Sequence, residues 1–322
     1  MKLEIEVFLS PDELHAALRN DVATGLVSVP KEIPPKWFYD DRGSELFTQI
    51  TRLPEYYQTR KERAILDEVS YSAARLTRAD TLVELGSGTS EKTALLLDAL
   101  DEVETLERFV PFDVNEATLR QAATAVAKAY PRILVHAVVG DFEHHLQSIP
   151  GEGRRLVAFL GGTIGNLRPE ARSAFLADLS ATMEPGDALL LGVDLVKNVN
   201  RLLAAYDDSA GVTADFNRNV LRVINRELGA DFAPERFDHV VRFDDEQEWI
   251  EMWLRATEDQ FVTVRELGTT AAFDREEEMR TEISAKFRRS GVDAELADAE
   301  LTLGRWWTDP DRDFALALAF KE

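Results

Sequence analysis

Short apolar segments alternate with amphipathic segments along residues 60 to 196. The apolar segments are TLVEL (81–85), RFVPFD (108–113), ILVHAVV (133–139), RRLVAFLG (154–161) and DALLLGVDLV (187–196). Near-continuous apolar runs are typical of strands that are buried on both faces, and the segments between them have the helical period. The pattern therefore predicts an α/β fold, in which a parallel sheet has helices on both faces.

Beyond residue 197 the alternation of strands and helices stops. The pattern predicts two helices over 198–207 and 211–229, followed by strand-like segments up to residue 287. The segment RTEISAKF (280–287) alternates polar and apolar residues strictly, which places Glu282 and Ser284 on one face of a strand. This part of the chain is therefore predicted to form a smaller α+β unit.

The end of the chain returns to the pattern of the core. A helix near 289–299 and two final strands predict a hairpin that closes the sheet. We therefore predict a core domain of residues 60–196 and 287–322. The second domain is predicted to consist of residues 1–59 and 197–286.

Local signals mark the points where three helices begin. Ser10 with Glu13, and Thr59 with Glu62, have the spacing of a capping box, in which each side chain bonds a backbone N–H group of the other residue. These helices are predicted to run to about residue 25 and about residue 77. Ser90 is predicted to cap a third helix that ends near residue 100.

Composition and charge exclude several classes of partner. The chain has 322 residues, and its 59 acidic against 37 basic residues give a net charge of −22. Nucleic acid and anionic membranes require a cationic face, so neither partner is expected. The chain has no cysteine, and its five histidines form no ligand array, so no metal site is predicted. Without a signal-peptide pattern or an apolar run of membrane-spanning length, we expect a cytoplasmic protein.

The sequence LVELGSGTSEKT, residues 82–93, leads a predicted strand into a glycine-rich turn. A phosphate-binding Walker A loop and the NAD-binding fingerprint both require glycine where this chain has Glu91. The carboxylate of Glu91 would repel phosphate groups. The turn around Gly86 and Gly88 is therefore expected to approach a neutral or cationic ligand.

Acidic residues end the next two predicted strands. Asp113 ends the first, and an acid in this position accepts hydrogen bonds from the two ribose hydroxyls of a nucleoside. Asp141 and Phe142 follow the second strand, where they can bond an adenine amino group and stack on its ring. Each acid alone is also compatible with a helix cap. Their occurrence at consecutive strand ends favours a nucleoside without a phosphate clamp, and S-adenosylmethionine fits that description.

The loop FLGGTIGNL (159–167) follows the fourth predicted strand, where the methyl group of such a ligand would lie. The Gly161 carbonyl is a candidate acceptor for an amine proton, and Asn166 is a candidate ligand for a polar substrate. In the alternative interpretation the glycines only permit a tight turn, and Asn166 caps the following helix. Methyl transfer requires positioning and a deprotonated acceptor, without a metal or a covalent intermediate.

An aromatic cluster in the N-terminal segment offers ring faces to a cationic reacting centre. For two residues of this cluster, Trp37 and Phe38, packing of the N-terminal segment against the core is at least as good an explanation. The whole cluster comprises Trp37, Phe38, Tyr39, Phe47, Tyr56 and Tyr57.

Six motifs spread over nearly the whole chain are more specific than the glycine turn. They are PPKWFYD, LPEYYQTR, LVELGSGTSEKT, FLGGTIGNL, YDDSAGVTADFNRNVL and TEISAKF. Together they resemble the histidine-specific Nα-methyltransferases of ergothioneine biosynthesis. This resemblance implies a Rossmann-like class I methyltransferase sheet with a smaller substrate-binding domain. It also implies three transfers from S-adenosylmethionine to the α-amino group of L-histidine, which give hercynine, and we expect a monomer.

The resemblance implies a set of cofactor-binding residues that agrees with the strand ends described above. Lys92, on the first turn of its helix, would neutralise the carboxylate of the cofactor. The implied cofactor contacts are Gly86, Lys92, Asp113, Asp141 and Phe142.

Substrate-binding residues are also implied by the resemblance. Asn166 and Tyr206 would hold the histidine carboxylate, whereas Tyr56, Glu282 and Ser284 would bind the imidazole ring. A carboxylate and a hydroxyl on one strand face can reach the two ring nitrogens together. A buried carboxylate paired with the ring would discriminate against amino acids that lack this donor. Without the resemblance, both positions are more typical of the exposed polar face of a strand than of a binding site.

The residues implied around the reacting nitrogen come from two separate segments of the chain. Gly161 and Thr163 would lie near the amine, and Tyr39 and Phe47 would form part of the wall around it. We predict catalytic roles for Tyr39, Gly161 and Thr163. The amine must lose a proton to water or to a nearby tyrosine before the first transfer.

Three rival functions remain. For an NAD-dependent oxidoreductase, this chain lacks the third glycine of the NAD-binding fingerprint and an evident catalytic residue. A methyltransferase for a different amino acid or amine, such as an indole amino acid, is the nearer rival, and Met252 and Glu282 would decide it. The third is a binding module that retains only the fold.

Overall fold

The computed structural model of the protein describes residues 2–88 and 92–322. The chain divides into two compact units, which are described separately. The sheet unit consists of Met1–Leu9, Gln58–Val196 and Lys286–Glu322. The second unit consists of Ser10–Tyr57 and Lys197–Ala285.

Fourteen strands and nine α-helices are found within the described residues. The strands are β1 (Lys2–Val7), β2 (Lys31–Glu32), β3 (Thr81–Leu85), β4 (Arg108–Asp113), β5 (Leu134–Val139), β6 (Arg155–Phe159), β7 (Ala188–Asp194), β8 (Phe237–Asp244), β9 (Trp249–Ala256), β10 (Gln260–Val264), β11 (Thr269–Phe273), β12 (Glu278–Ala285), β13 (Leu301–Thr308) and β14 (Phe314–Lys321). The helices are α1 (Pro11–Gly25), α2 (Asp41–Ile50), α3 (Gln58–Thr77), α4 (Thr93–Glu102), α5 (Glu116–Ala129), α6 (Pro169–Thr182), α7 (Val199–Tyr206), α8 (Val212–Leu228) and α9 (Arg289–Asp298).

The sheet unit is built on one eight-stranded sheet in the order β1-β5-β4-β3-β6-β7-β14-β13. Neighbours from β1 to β7 pair in parallel, whereas β14 is antiparallel to both β7 and β13. The chain winds outward from β3 in both directions, through β4 and β5 on one side and through β6 and β7 on the other. In such sheets ligands bind at the carboxyl ends of the strands near the reversal. The predicted α/β class is confirmed.

Burial explains why the central strands carry continuous apolar runs. Every residue of β3, β6 and β7 is buried, because helices cover both faces of a parallel sheet. Large fully buried side chains of the sheet core are Leu82, Phe109, Phe112, Phe159 and Phe314.

The N-terminal strand differs from the prediction. Lys2–Val7 pairs in parallel with Leu134–Val139, so residues 1–9 belong to the sheet unit and their assignment to the second domain is wrong. The physical reason is that the edge of β5 offers backbone N–H and C=O groups to a further strand. The strand β1 itself is mostly exposed and therefore lacks an apolar run.

Helix starts agree with the prediction in one case and differ in another. At α1 the Ser10 and Glu13 side chains form the predicted capping box. The box predicted at Thr59 is wrong, because α3 already begins at Gln58 and the Glu62 side chain is fully buried in other contacts. The predicted Ser90 cap lies outside the described residues.

The second unit contains a four-stranded sheet in the order β2-β12-β9-β8 and the hairpin β10-β11. Its core is formed by helix and strand side chains that include Phe38, Phe216 and Leu254. The strand β12 ends at Ala285, two residues before the predicted end, and its register with β9 is irregular between Arg280 and Glu282. Among the described helices, none is both long enough and apolar enough to cross a membrane.

One lysine forms ion pairs with a cluster of three acidic side chains in the sheet unit. The Lys61 ammonium lies 2.8 Å from Asp309 and 3.4 Å from Asp313, whose carboxylates are both buried, and 2.5 Å from the exposed Asp311. Burial alone would lower the pKa of Lys61, but the hydrogen bonds to Asp309 and Asp311 outweigh it and raise that pKa. The lysine therefore offsets part of the negative charge of these carboxylates and links α3 to the segment before β14.

Candidate active site

The turn after β3 presents an open backbone surface. Gly86 and Gly88 have φ values of 66° and 50°, a region that side chains other than glycine rarely adopt. The N–H groups of Gly86 and Ser87 donate to the Phe112 carbonyl, which fixes the turn against β4. A Cβ added at either glycine would meet no atom within 4 Å among the described residues. The turn is therefore held in place while its outer face can receive a ligand.

Asp113 lies at the carboxyl end of β4, beside this turn. Its two carboxylate oxygens accept the N–H groups of Gly88 and Asn115, each at 2.9 Å. Burial raises the pKa of the Asp113 carboxyl, although these two hydrogen bonds act in the opposite direction. A carboxylate has about four lone-pair sites, so acceptor capacity is left for ligand hydroxyls.

Asp141 and Phe142 follow β5 at the same edge of the sheet. Asp141 is 9% exposed, and its Oδ1 accepts the N–H group of Glu143 at 2.9 Å. The Phe142 ring packs edge-to-face on Phe159 and Phe175, with centroid distances of 5.3 and 5.6 Å. These contacts hold a half-buried aromatic ring in a fixed orientation next to the carboxylate of Asp141.

Lys92 precedes α4, and its ammonium forms an ion pair with the carboxylate of Glu62. The same carboxylate accepts the N–H group of Gly161 at 2.6 Å. Glu62 therefore links the lysine to the loop after β6. Sequence reasoning missed this role because the spacing of Thr59 and Glu62 matched a helix cap.

The loop after β6 needs glycine at two positions. Gly161 and Gly162 have φ values of 81° and 73°, and the Thr163 hydroxyl donates to the Leu160 carbonyl at 3.2 Å. Asn166 ends a short 3₁₀ turn, and the N-cap of α6 is Arg168. The alternative in which Asn166 caps the following helix is therefore wrong.

In the second unit, two of the predicted substrate residues are in direct contact. The Tyr206 hydroxyl, at the end of α7, lies 2.7 Å from the Ser284 hydroxyl on β12. Both side chains are buried. Glu282 lies two residues before Ser284 on the same strand and is half-buried, in register with Met252 of β9.

The aromatic cluster of the second unit brings together three of the predicted residues. The Tyr39 and Phe47 rings meet edge-to-face at 5.5 Å, and the Phe47 and Tyr56 rings meet at 6.1 Å. Phe216 of α8 contacts both Tyr39 and Phe47. The Trp37 indole instead donates to Asp21 at 2.9 Å, which supports the structural interpretation of that residue.

A partly buried hydrogen-bond chain that sequence reasoning missed supports Tyr206. His239 Nε2 lies 2.9 Å from the Tyr206 carbonyl, and His239 Nδ1 lies 2.8 Å from the amide nitrogen of Asn217. The amide oxygen of Asn217 accepts the Thr281 hydroxyl at 2.6 Å. Because the asparagine nitrogen can only donate, Nδ1 accepts and Nε2–H donates. Burial lowers the pKa of His239, which favours this neutral ring.

Comparison with known proteins identifies the family to which the chain belongs. Residues 18–321 match the family model described as histidine-specific methyltransferase, SAM-dependent. Two proteins named histidine N-alpha-methyltransferase, from Mycolicibacterium smegmatis and Mycobacterium tuberculosis, are 56% and 58% identical over 100% of both chains. Ergothioneine biosynthesis protein 1 of Schizosaccharomyces pombe is 30% identical over 72% of this chain and 30% of its own length.

The doubly wound sheet and the family match together define the chain as an S-adenosylmethionine-dependent methyltransferase. Within that class, it belongs to the family of histidine-specific methyltransferases. The resemblance inferred from the six motifs, the enzyme class and the cofactor are thereby confirmed. The roles of the individual site residues stay predictions.

Proposed function

We propose that the protein transfers three methyl groups from S-adenosylmethionine to the α-amino group of L-histidine and so forms hercynine for ergothioneine biosynthesis. The observation that carries this proposal is the identity of 56% and 58%, over complete chains, to two proteins named histidine N-alpha-methyltransferase. The name of the fungal relative, which refers to ergothioneine biosynthesis, supports the pathway.

The cofactor is proposed to lie along the carboxyl ends of β3, β4 and β5. Asp113 accepts the ribose hydroxyls, while Asp141 and Phe142 bind the adenine through its amino group and its ring face. Gly86 contacts the amino-acid part of the cofactor, and Lys92 neutralises its carboxylate. The open face of the glycine turn and the remaining acceptor capacity of Asp113 support this placement.

Histidine is proposed to be held at both of its ends. Asn166 and Tyr206 bind its carboxylate, and Tyr56, Glu282 and Ser284 bind its imidazole ring. Ser284 is supported in this role by Tyr206, whose hydroxyl lies 2.7 Å away. A neutral imidazole has one donor and one acceptor, which a carboxylate and a hydroxyl on one strand can satisfy together.

S-adenosylmethionine supplies an electrophilic methyl group, and the chain contributes positioning and proton removal. Gly161 and Thr163 orient the amine through the loop after β6, and Tyr39 forms part of the wall around it. The α-ammonium must lose a proton to water or to a nearby tyrosine before its lone pair can attack. Each transfer replaces an N–H hydrogen with a methyl group, so the nitrogen can donate fewer hydrogen bonds. Aromatic ring faces therefore suit the growing methylammonium cation better than hydrogen-bond acceptors do.

Mass spectrometry of free amino acids incubated with the protein and S-adenosylmethionine tests this function. The expected result is that histidine gains three methyl groups while the other amino acids in the mixture stay unchanged. Unchanged histidine beside a methylated indole amino acid would instead identify the neighbouring specificity.

We further propose that the enzyme acts as a monomer in the cytoplasm, without nucleic acid or a membrane as partner. The net charge of −22 disfavours binding to anionic polymers and surfaces. A chain without cysteine needs no oxidising compartment. Sedimentation of the active enzyme would show one species with the mass of a single chain, and a larger active species would contradict the monomer.

A further inference from the structure

We infer that Glu62 is a positioning residue that holds the cofactor-binding lysine and the acceptor loop in one fixed arrangement. Its carboxylate contacts Lys92 through one oxygen and the N–H group of Gly161 through the other. The inference rests on the proposed function in one respect, namely that Lys92 binds the carboxylate of the cofactor.

The burial of Glu62 shows that its contacts are specific. Its side chain is fully buried, whereas the Lys92 side chain is 23% exposed. A buried carboxylate is tolerated only when its oxygens are hydrogen-bonded and its charge is paired. Lys92 provides the charge and the Gly161 N–H group provides a hydrogen bond, so the two contacts together keep the carboxylate in place.

The sheet leaves room for this carboxylate at Gly192 of β7. A Cβ at Gly192 would collide with Oε1 of Glu62 and would lie 3.4 Å from Cα of Leu160. Gly192 has no positive φ value, so glycine is needed here for space and not for backbone conformation. An alanine at this position therefore displaces Glu62 without changing its chemistry.

The consequence for the lysine is preorganisation. A lysine side chain has several rotatable bonds, and a charged hydrogen bond to a fixed partner limits the positions of its ammonium. The consequence for the loop is similar. The hydrogen bond from the Gly161 N–H group to Glu62 holds the turn of Gly161 and Gly162, the loop proposed above to orient the substrate amine.

Positioning and simple electrostatics predict opposite signs for the loss of the Glu62 charge. A bystander carboxylate would repel the carboxylate of the cofactor, so its neutralisation would strengthen binding. A positioning carboxylate would weaken binding when neutralised, because Lys92 loses the partner that fixes it. Glu62→Gln separates these outcomes, since its amide oxygen can still accept from Gly161 while its NH₂ group cannot accept from Lys92.

The test is calorimetric titration of full-length variants with S-adenosylhomocysteine, together with the KM for histidine. Glu62→Gln is expected to weaken S-adenosylhomocysteine binding about tenfold and to change the histidine KM less than about threefold. Glu62→Ala and Gly192→Ala are expected to raise both the Kd for S-adenosylhomocysteine and the KM for histidine about tenfold. In a Lys92→Met background, Glu62→Gln is expected to change the affinity less than about twofold, because it acts through the lysine.

Asp187→Asn is the matched control in the same unit. Asp187 is also a fully buried carboxylate, which accepts from the Arg155 side chain and backbone at the opposite end of the sheet. The control is expected to lower the unfolding temperature without changing S-adenosylhomocysteine affinity.

Three results would overturn the inference. The first is that Glu62→Gln binds S-adenosylhomocysteine as tightly as the wild type or more tightly. The second is that Glu62→Gln weakens binding in the Lys92→Met background as much as it does in the wild type. The third is that Asp187→Asn loses as much S-adenosylhomocysteine affinity as Glu62→Gln. Failure of the wild type to methylate histidine would refute the proposed function. The affinities of the wild type and the variants for S-adenosylhomocysteine could still be compared, so the test of Glu62 would remain valid.

Discussion

Asp113→Asn tests the proposed ribose contact with a change of one functional group. Both carboxylate oxygens accept backbone N–H groups at 2.9 Å, so an amide in either orientation directs its NH₂ group at one of these donors. The variant therefore loses one acceptor and the negative charge beside the ribose hydroxyls. Hydrogen bonds to charged groups contribute about 1.5–3 kcal/mol, and a loss of about 2 kcal/mol corresponds to about 30-fold weaker binding.

The effect of this substitution on folding is measured separately from its effect on binding. Burial raises the pKa of Asp113, so the ionised carboxyl is less favourable in the folded than in the unfolded state. Its contribution to stability is present at low pH and is lost as the pH rises through the folded-state pKa. At neutral pH the loss of the buried charge therefore favours the asparagine variant, whereas the backbone N–H group that loses its acceptor costs about 1–3 kcal/mol. Urea unfolding of the variant without ligand measures the sum of these two effects on folding.

The assay is calorimetric titration with S-adenosylhomocysteine at several pH values. The wild-type affinity is expected to fall on acidification at a pH above the ordinary aspartate value of 3.8, because the ribose contact needs the ionised carboxyl. The affinity of Asp113→Asn should lack this component. Asp98→Asn, which changes a carboxylate bonded by Tyr130 in the same unit, is the control and should match the wild type. Affinity of Asp113→Asn within about threefold of wild type would refute the reasoning.

Three other substitutions probe the adenine face, the support of Tyr206 and the stability of the sheet unit. Phe142→Leu keeps apolar packing but removes a stacking ring, so S-adenosylhomocysteine should bind about tenfold more weakly in the same titration; unchanged affinity would exclude the adenine contact. His239→Phe removes both ring nitrogens, and it should raise the histidine KM and lower the free energy of unfolding by about 1–3 kcal/mol, whereas unaltered kinetics would exclude the support of Tyr206. Lys61→Met leaves the buried carboxylates of Asp309 and Asp313 without their cation, so urea unfolding should show a loss of about 3 kcal/mol with unchanged cofactor affinity.

The parallel core of the sheet was predictable because its strands are buried on both faces. Their apolar runs are local and continuous, as in TLVEL, so each strand could be located without knowledge of its neighbours. The strand β1 was not predictable in this way. Its sequence KLEIEV is mostly exposed, and only the edge of β5, more than 120 residues further along the chain, makes it a strand.

The strand β11 illustrates a second limit of pattern reasoning. Its sequence TTAAF has small and polar side chains that are mostly exposed, so it has little hydrophobic pattern. It becomes a strand because it pairs with β10 in a hairpin. Strand preference in such segments depends on the partner more than on the residues themselves.

Within the candidate site, the residues at strand ends were predictable and the residues that support them were not. Asp113 and Asp141 follow recognisable strands, so their position at the carboxyl edge follows from the α/β pattern. Glu62 matched a capping box, although its partners Lys92 and Gly161 lie 30 and 99 residues further along the chain. A local pattern cannot distinguish a helix cap from a buried ion pair, because the partner is fixed only by the fold.

Nuclear magnetic resonance of the product made from histidine and methyl-labelled S-adenosylmethionine tests whether the α-nitrogen is trimethylated. The position and number of the labelled methyl groups identify both the acceptor nitrogen and the extent of transfer. We expect one labelled trimethylammonium signal coupled to the α-carbon, with unaltered imidazole resonances. A labelled methyl group on the imidazole ring, or a final product with fewer than three methyl groups on the α-nitrogen, would contradict it.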